Sequence, residues 1–248
     1  MSAPAGSRGV LTPGARAAGR TEQFRPYTHP VSKEAPEAPG RTRPSIREAQ
    51  KASTFEVLLR AAEELFVERG YAATTIEQIA SRAGASRATF YLHFEGKWQA
   101  AAALAERRLM PETIEYYKRL DALGIPDRTQ LRAWLDDALG FYERHRQEVI
   151  TYRQAVGVEP QLAALQPESL GRCADAMSGY LERWGEERRD EARLRLGLLI
   201  IQLTHFVTDW LSGYWTADRQ VVLDVLLDLW TAGLGLHHVP LPPSHDHG

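Results

Sequence analysis

Four side chains able to hydrogen-bond outward, Arg87, Thr89, Tyr91 and His93, fall within seven positions of a 248-residue chain, and Lys97 follows shortly after them. Ser86 is placed to start a short helix running to His93, which tucks Phe90 and Phe94 inward and leaves those four side chains outside. Arg87 carries a planar donor fork that can meet guanine O6 and N7 together or simply hold phosphate. Thr89 can offer its methyl to thymine or its hydroxyl to phosphate. The chemistry such a set suits is recognition of a nucleic-acid duplex.

A reading helix needs a scaffold, and the preceding residues supply one. Ile76, Ile79, Ala80 and Ala83 lie at helical spacing. Thr75 is placed to cap that helix with Gln78 answering it; Thr74 with Glu77 is the alternative frame. Gly84 ends it, because the residue past a helix terminus often needs positive φ, which glycine adopts at no steric cost. Helix, glycine turn, helix is a unit that fits a DNA major groove. Upstream, Ser45 to Gly70 predicts one amphipathic helix with Phe55, Leu58, Leu59, Ala62, Leu65 and Phe66 inward and Glu56, Glu63, Glu64 and Glu68 outward. Its start, with Arg47 and Lys51, suits backbone phosphate or is a solvated basic end.

The whole-chain charge of −2 conceals segments that differ. Residues 1–46 hold seven basic and three acidic residues, whereas 47–97 hold seven of each. A neutral DNA-binding module is awkward, since phosphate neutralisation dominates affinity, so the placement of Arg47, Lys51, Arg82, Arg87 and Lys97 on the groove side has to compensate. Residues 1–44, rich in Pro, Gly, Ala and Arg, read as a disordered basic tail or as an arm along phosphates or the minor groove. The single Cys173 excludes an intramolecular disulfide framework and a multi-cysteine metal site, which suits a cytoplasmic protein. No signal peptide is apparent, and the most apolar run, Leu196 to Val207, is too short to span a membrane.

Beyond Lys97 the pattern is helical throughout. A helix runs to Leu109, Pro111 breaks it before Glu112–Leu120, and Leu123–Pro126 forms a loop. Helices follow at about 129–147 and 148–157, with a break at Glu159-Pro160 and a short piece to Gln166. Pro167 then opens a helix to about Glu187, and two long helices close the fold at about 190–215 and 218–236. The fold class is all-α: a helix-turn-helix domain over 45–97, a helical domain over 98–236 and a flexible His/Pro tail over 237–248. His237, His238, His245 and His247 in that tail raise a metal site, with a plain tail as the alternative.

The run GASRATFYLHFEGK resembles the DNA-binding signature of the TetR family of transcriptional regulators, and FEVLLRAAEELFVERGYAATTIEQIA resembles that family's first helix, glycine-aromatic turn and second-helix start. The likeness covers roughly residues 50–105. It departs at Gly96, where the family more often has Ser or Asn, at Trp98, where an acidic residue is common, and at Ala100, where Leu is usual. The resemblance implies that Ser86, Arg87, Thr89, Tyr91 and His93 face double-stranded DNA. It implies that Thr75, and Lys97 with the helix start after Gly96, contact backbone phosphate; capping alone is the other reading for Thr75, and packing for Tyr91 and His93. It also implies a homodimer built on the last two helices, which carry apolar residues on wide faces: Leu194, Leu198, Ile201 and Leu203 on one, and Val222, Val225, Leu226, Leu229, Trp230 and Leu234 on the other. Finally it implies a pocket for a small-molecule effector among the C-terminal helices. Trp134, Phe141, Tyr152, Tyr180, Trp184, His205 and Asp209 are its candidates, with plain core as the alternative for each ring. A satisfied buried hydrogen bond is the alternative for the His205–Asp209 pair.

These features lead to a ligand-responsive transcriptional regulator, a repressor released from a palindromic operator when its effector binds. The other readings are an enzyme and a small-molecule sensor or interaction protein without DNA-binding activity. Against the enzyme stand the lack of a nucleophile elbow, HExxH pair, carboxylate pair or cofactor loop. No cofactor, metal or membrane partner is expected.

Overall fold

A computed structural model describes residues 45–236. The expectations for 1–44 and for the histidines of 237–248 lie outside the described residues. Among these the architecture is all-α, and no helix is long and apolar enough to cross a membrane.

Helix α1 (Ile46–Arg69) begins at a capping box: the Glu48 amide donates to Ser45 Oγ while the Ser45 amide donates back to the Glu48 carboxylate. Its apolar stripe is buried as its spacing predicts. Gly70, at φ 78°, ends it. Thr74 is buried and its hydroxyl donates to the carbonyls of Leu65 and Gly70, so the turn consumes it and the next cap falls to Thr75. Helices α2 (Ile76–Arg82) and α3 (Arg87–Tyr91) follow, joined through Gly84 at φ 64°.

Leu109 separates α4 (Lys97–Arg108) from α5 (Met110–Ala122), with Pro111 in the first turn of α5, where its missing N–H costs nothing. Asp127 opens α6 (Arg128–Arg144) with another capping box, formed with Gln130. Then come α7 (Arg146–Val158), α8 (Pro160–Asp175), α9 (Ser178–Arg183), a 3-10 turn (Glu186–Arg188), α10 (Arg189–Leu211) and α11 (Arg219–Gly233). The expected helix start at Pro167 is corrected: Pro167 lies inside α8, and the break falls at Ala176–Met177. Helices α5, α7 and α10 pack against α8, so tertiary support holds both halves of a helix that a proline would otherwise interrupt.

Two apolar clusters result. One is the head: Phe55, Leu58, Ile79, Phe90, Phe94 and Trp98, closed from the far side by Ala155 of α7 and Leu162 of α8. The head core therefore runs past residue 97 into the helical body. The other fills the body, where Tyr116 and Trp134 are tied reciprocally: the Tyr116 hydroxyl donates to the Trp134 carbonyl, and Trp134 Nε1 donates to the Tyr116 carbonyl at 3.1 Å.

Candidate nucleic-acid interface

Local hydrogen bonds set the reading helix. Thr75 caps α2, its hydroxyl accepting from the Gln78 amide at 3.3 Å while Gln78 Oε1 accepts from the Thr75 amide. Ser86 caps α3 by accepting from the Thr89 amide at 3.0 Å. Phe90 and Phe94 are buried with ring centroids 5.2 Å apart; they pin the short helix to the head and oblige its other side to face out.

On that side the structure places Arg87 and Tyr91, both exposed, with Thr89 and His93 half-buried beside them. The Thr89 hydroxyl lies 2.9 Å from Ser86 Oγ, which leaves its methyl as the outward group. Arg87 Nη1 sits 2.7 Å from Glu77 Oε1 of α2, and Tyr91, then Glu77, raise the guanidinium pKa above its ordinary value. Burial, then the Lys51 ammonium, hold the His93 imidazole below its ordinary pKa, and its ring centroid is 6.3 Å from that of Phe55. Lys51 therefore shares this face. Leu92, which sequence reasoning missed, is 75% exposed between Tyr91 and His93; the signal was its place directly after Tyr91 on the outward turn.

Two cations are placed otherwise than expected. The Lys97 ammonium points into the head, donating to the carbonyls of Tyr71 at 2.9 Å and Thr74 at 3.0 Å and lying 4.3 Å from the Tyr71 ring centroid. It ties down the turn that leads to α2. Arg82 is turned away from the groove side, toward α1, where it pairs with Glu64 and Glu68. Arg107 and Arg108 of α4 likewise pair with Glu56 and Glu63. Glu56, Glu63, Glu64 and Glu68 of α1 are thus matched by arginines, two of which lie beyond residue 97, and the neutral count of the head gives way to a face where Arg87 and Lys51 meet solvent.

The C-terminal candidates are not gathered around one cavity. Trp134, Phe141 and Tyr180 are buried within the body core. Trp184 is partly buried at its edge, with the Arg188 and Arg195 guanidinium groups over its ring. Tyr152 instead packs against the head cluster and lines a cavity of about 30 Å³ with Phe66, Ala101, Leu104 and Thr151. The buried His205–Asp209 hydrogen bond is corrected: His205 is exposed, and Asp209 is taken by Arg153 at 3.1 Å. Among the described residues the body does hold buried polar atoms with no hydrogen-bond partner in the protein, Tyr180 Oη, Gln202 Oε1 and Trp230 Nε1 among them.

Residues 58–104 match the family described as bacterial regulatory proteins, tetR family. The chain is 29% identical over 189 residues to the HTH-type transcriptional activator FasR of Mycolicibacterium smegmatis, covering 75% of this chain and 84% of that one. It is 39% identical over 64 residues to the HTH-type transcriptional repressor BepR of Brucella suis biovar 1, spanning 26% of this chain and only 31% of BepR. Among solved structures, a TetR-family transcriptional regulator from Mesorhizobium loti aligns with TM-score 0.51 at 18% identity over 75% of this chain and 98% of its own. NalD, the secondary repressor of the MexAB-OprM multidrug efflux pump in Pseudomonas aeruginosa, gives 0.51 at 18% over 75% and 97%. These last two likenesses concern the fold. A capped helix-turn-helix head on an all-helical body is matched over residues 58–104 by the family's own pattern, so the head of this chain is a DNA-binding domain of the tetR type.

Proposed function

We propose that the protein is a cytoplasmic, homodimeric repressor that binds a palindromic operator through α3 and leaves it when a small molecule binds the helical body. The observation that carries the reading is the outward set on α3: Arg87, Tyr91 and Leu92 exposed on a helix whose inward side is pinned by Phe90 and Phe94. Such a helix, with Thr89 and His93 beside it, presents donors and apolar groups to base edges, while Ser86, Thr75 and the start of α4 stand at its flanks for phosphate.

Dimerisation is supported by the outer faces of α10 and α11. Leu194, Leu198 and Ile201 of α10 and Val221, Val225 and Leu229 of α11 are exposed at helical spacing, whereas Leu203, Val222, Leu226, Trp230 and Leu234 fill the protomer's own core. Two apolar stripes on adjacent helices suit a two-fold four-helix contact. Effector binding is supported by polar atoms left without a partner inside the body, Tyr180 Oη, Gln202 Oε1 and Trp230 Nε1 among them. A ligand entering there must favour the conformation that does not bind DNA, since equal affinity for both would move nothing. The similarity to FasR, named an activator, supports a second reading in which the bound protein raises transcription.

A gel shift with genomic fragments at two salt concentrations tests the reading. Binding should weaken steeply with salt, and Arg87→Ala should relax sequence preference about ten- to a hundredfold. No salt-sensitive binding to any fragment would favour a sensor without DNA-binding activity. A reporter fused to the bound promoter separates repression from activation.

A further inference from the structure

We propose that Glu77 sets the sequence discrimination of this interface: it holds one edge of the Arg87 guanidinium so that the other edge meets a base rather than a phosphate. The inference rests on the DNA-binding reading above and assigns Glu77 a role as a positioning residue within it.

A carboxylate on a DNA-facing surface opposes binding, because it repels the phosphate backbone. Four other acids of the head illustrate the point: Glu56, Glu63, Glu64 and Glu68 lie on α1 and are matched by Arg107, Arg108 and Arg82. Glu77 differs. It stands on α2, directly beside the reading helix, with Oε1 2.7 Å from Arg87 Nη1. Both side chains remain more than half exposed, at 52% and 59%, so the pair is open to a duplex rather than sealed in the head. Its own backbone amide, then the Thr75 hydroxyl, and then Arg87 hold the Glu77 pKa below the ordinary value.

Geometry gives this arrangement a consequence. A guanidinium has five N–H donors in a planar fork. With Glu77 on one side, the remaining donors are left as a pair suited to O6 and N7 of guanine. A phosphate approaching the same donors meets the Glu77 charge as well. A guanine edge carries no net charge and does not. Glu77 therefore lowers affinity for every sequence and lowers it most where Arg87 would otherwise take phosphate, and the difference between those two losses is specificity.

The test uses the full chain and two probes of equal length: the tightest genomic fragment from the gel shift and a duplex of random sequence. Glu77→Gln, Glu77→Asp, Arg87→Ala and the Glu77→Gln/Arg87→Ala double variant are compared across a salt series. Glu77→Gln should bind the random duplex more tightly and lower the specific-to-random ratio roughly tenfold, with a steeper salt dependence. Glu77→Asp, which keeps the charge, should recover part of the ratio. With Arg87 replaced by Ala, adding Glu77→Gln should leave the ratio where it was. An unchanged ratio in Glu77→Gln, or an equal change with and without Arg87, overturns the role of Glu77 while the DNA-binding reading stands. A wild-type chain that binds neither duplex overturns both.

Discussion

The Tyr71 hydroxyl donates to a Glu159 carboxylate oxygen at 2.7 Å, joining residues 88 positions apart. Tyr71 is wholly buried at the turn before α2, and Glu159 sits at the junction of α7 and α8. The Lys97 ammonium bonds the Tyr71 carbonyl and covers its ring. One tyrosine thus fastens the head to the body through its hydroxyl and is held within the head by Lys97. Tyr71→Phe removes the hydroxyl and keeps the ring. It should cost about 1–2 kcal/mol, the range for a hydrogen bond to a charged group with some access to water. A lower urea midpoint with unchanged slope would show it, and faster amide exchange at Thr74 and Thr75 would locate the loss. A midpoint equal to wild type would mean the bond adds nothing.

Gly96 and Trp98 form a second coupled pair. A Cβ at Gly96 would stand 2.9 Å from Trp98 Cδ1, although φ of −171° is open to any residue. The constraint is therefore the indole. Gly96→Ala should destabilise by about 1–3 kcal/mol through overpacking. In a Trp98→Leu background the same substitution should be close to neutral. Thermal melts of the four proteins decide it; additive losses would mean the ring yields freely.

Alkaline pH should unfold the protein through its tyrosines. Burial raises the phenol pKa of Tyr71, Tyr116 and Tyr117 above the ordinary 10.0 and pushes Tyr142 up to about 12. Between those values the unfolded chain releases protons that the folded chain keeps. The contribution of each is present in full below pH 10 and is lost as pH rises through its folded value. The urea midpoint should fall above pH 10, with tyrosinate absorbance appearing together with loss of helix. Tyrosinate appearing fully while helix persists would contradict this.

The α10–α11 face gives a fourth test. Leu198→Glu and Val225→Glu place charge where the side chains are 58% and 53% exposed, so helix content should be kept. Light scattering should show the variant as a monomer at concentrations where wild type pairs, and operator affinity should fall steeply because each half-site then binds alone. A variant that still pairs would locate the contact elsewhere.

What the sequence disclosed and what it hid divide along the reach of the forces involved. Thr75 with Gln78, Gly84, Ser86 and the inward Phe90 and Phe94 are set within a few positions, and local rules found them. The fates of Lys97, Arg82 and Asp209 depend on partners brought near by folding, at Tyr71, at Glu64 and Glu68, and at Arg153, which no short-range pattern contains. Pro167 reads locally as a helix start, but packing on α8 from its neighbours α4, α5, α7 and α10 overrides it. Gly96 and Trp98 look like separate departures from the family pattern, yet the ring of one occupies the room a side chain at the other would need.

The stripe formed by Leu194, Leu198, Val225 and Leu229 has a genetic corollary on the pairing proposed above. An allele carrying Arg87→Ala would interfere with its intact counterpart, because each damaged subunit keeps the stripe and recruits a sound one into a pair with a single working head. An allele carrying Leu198→Glu would be silent in the same cell, since its product never meets the other.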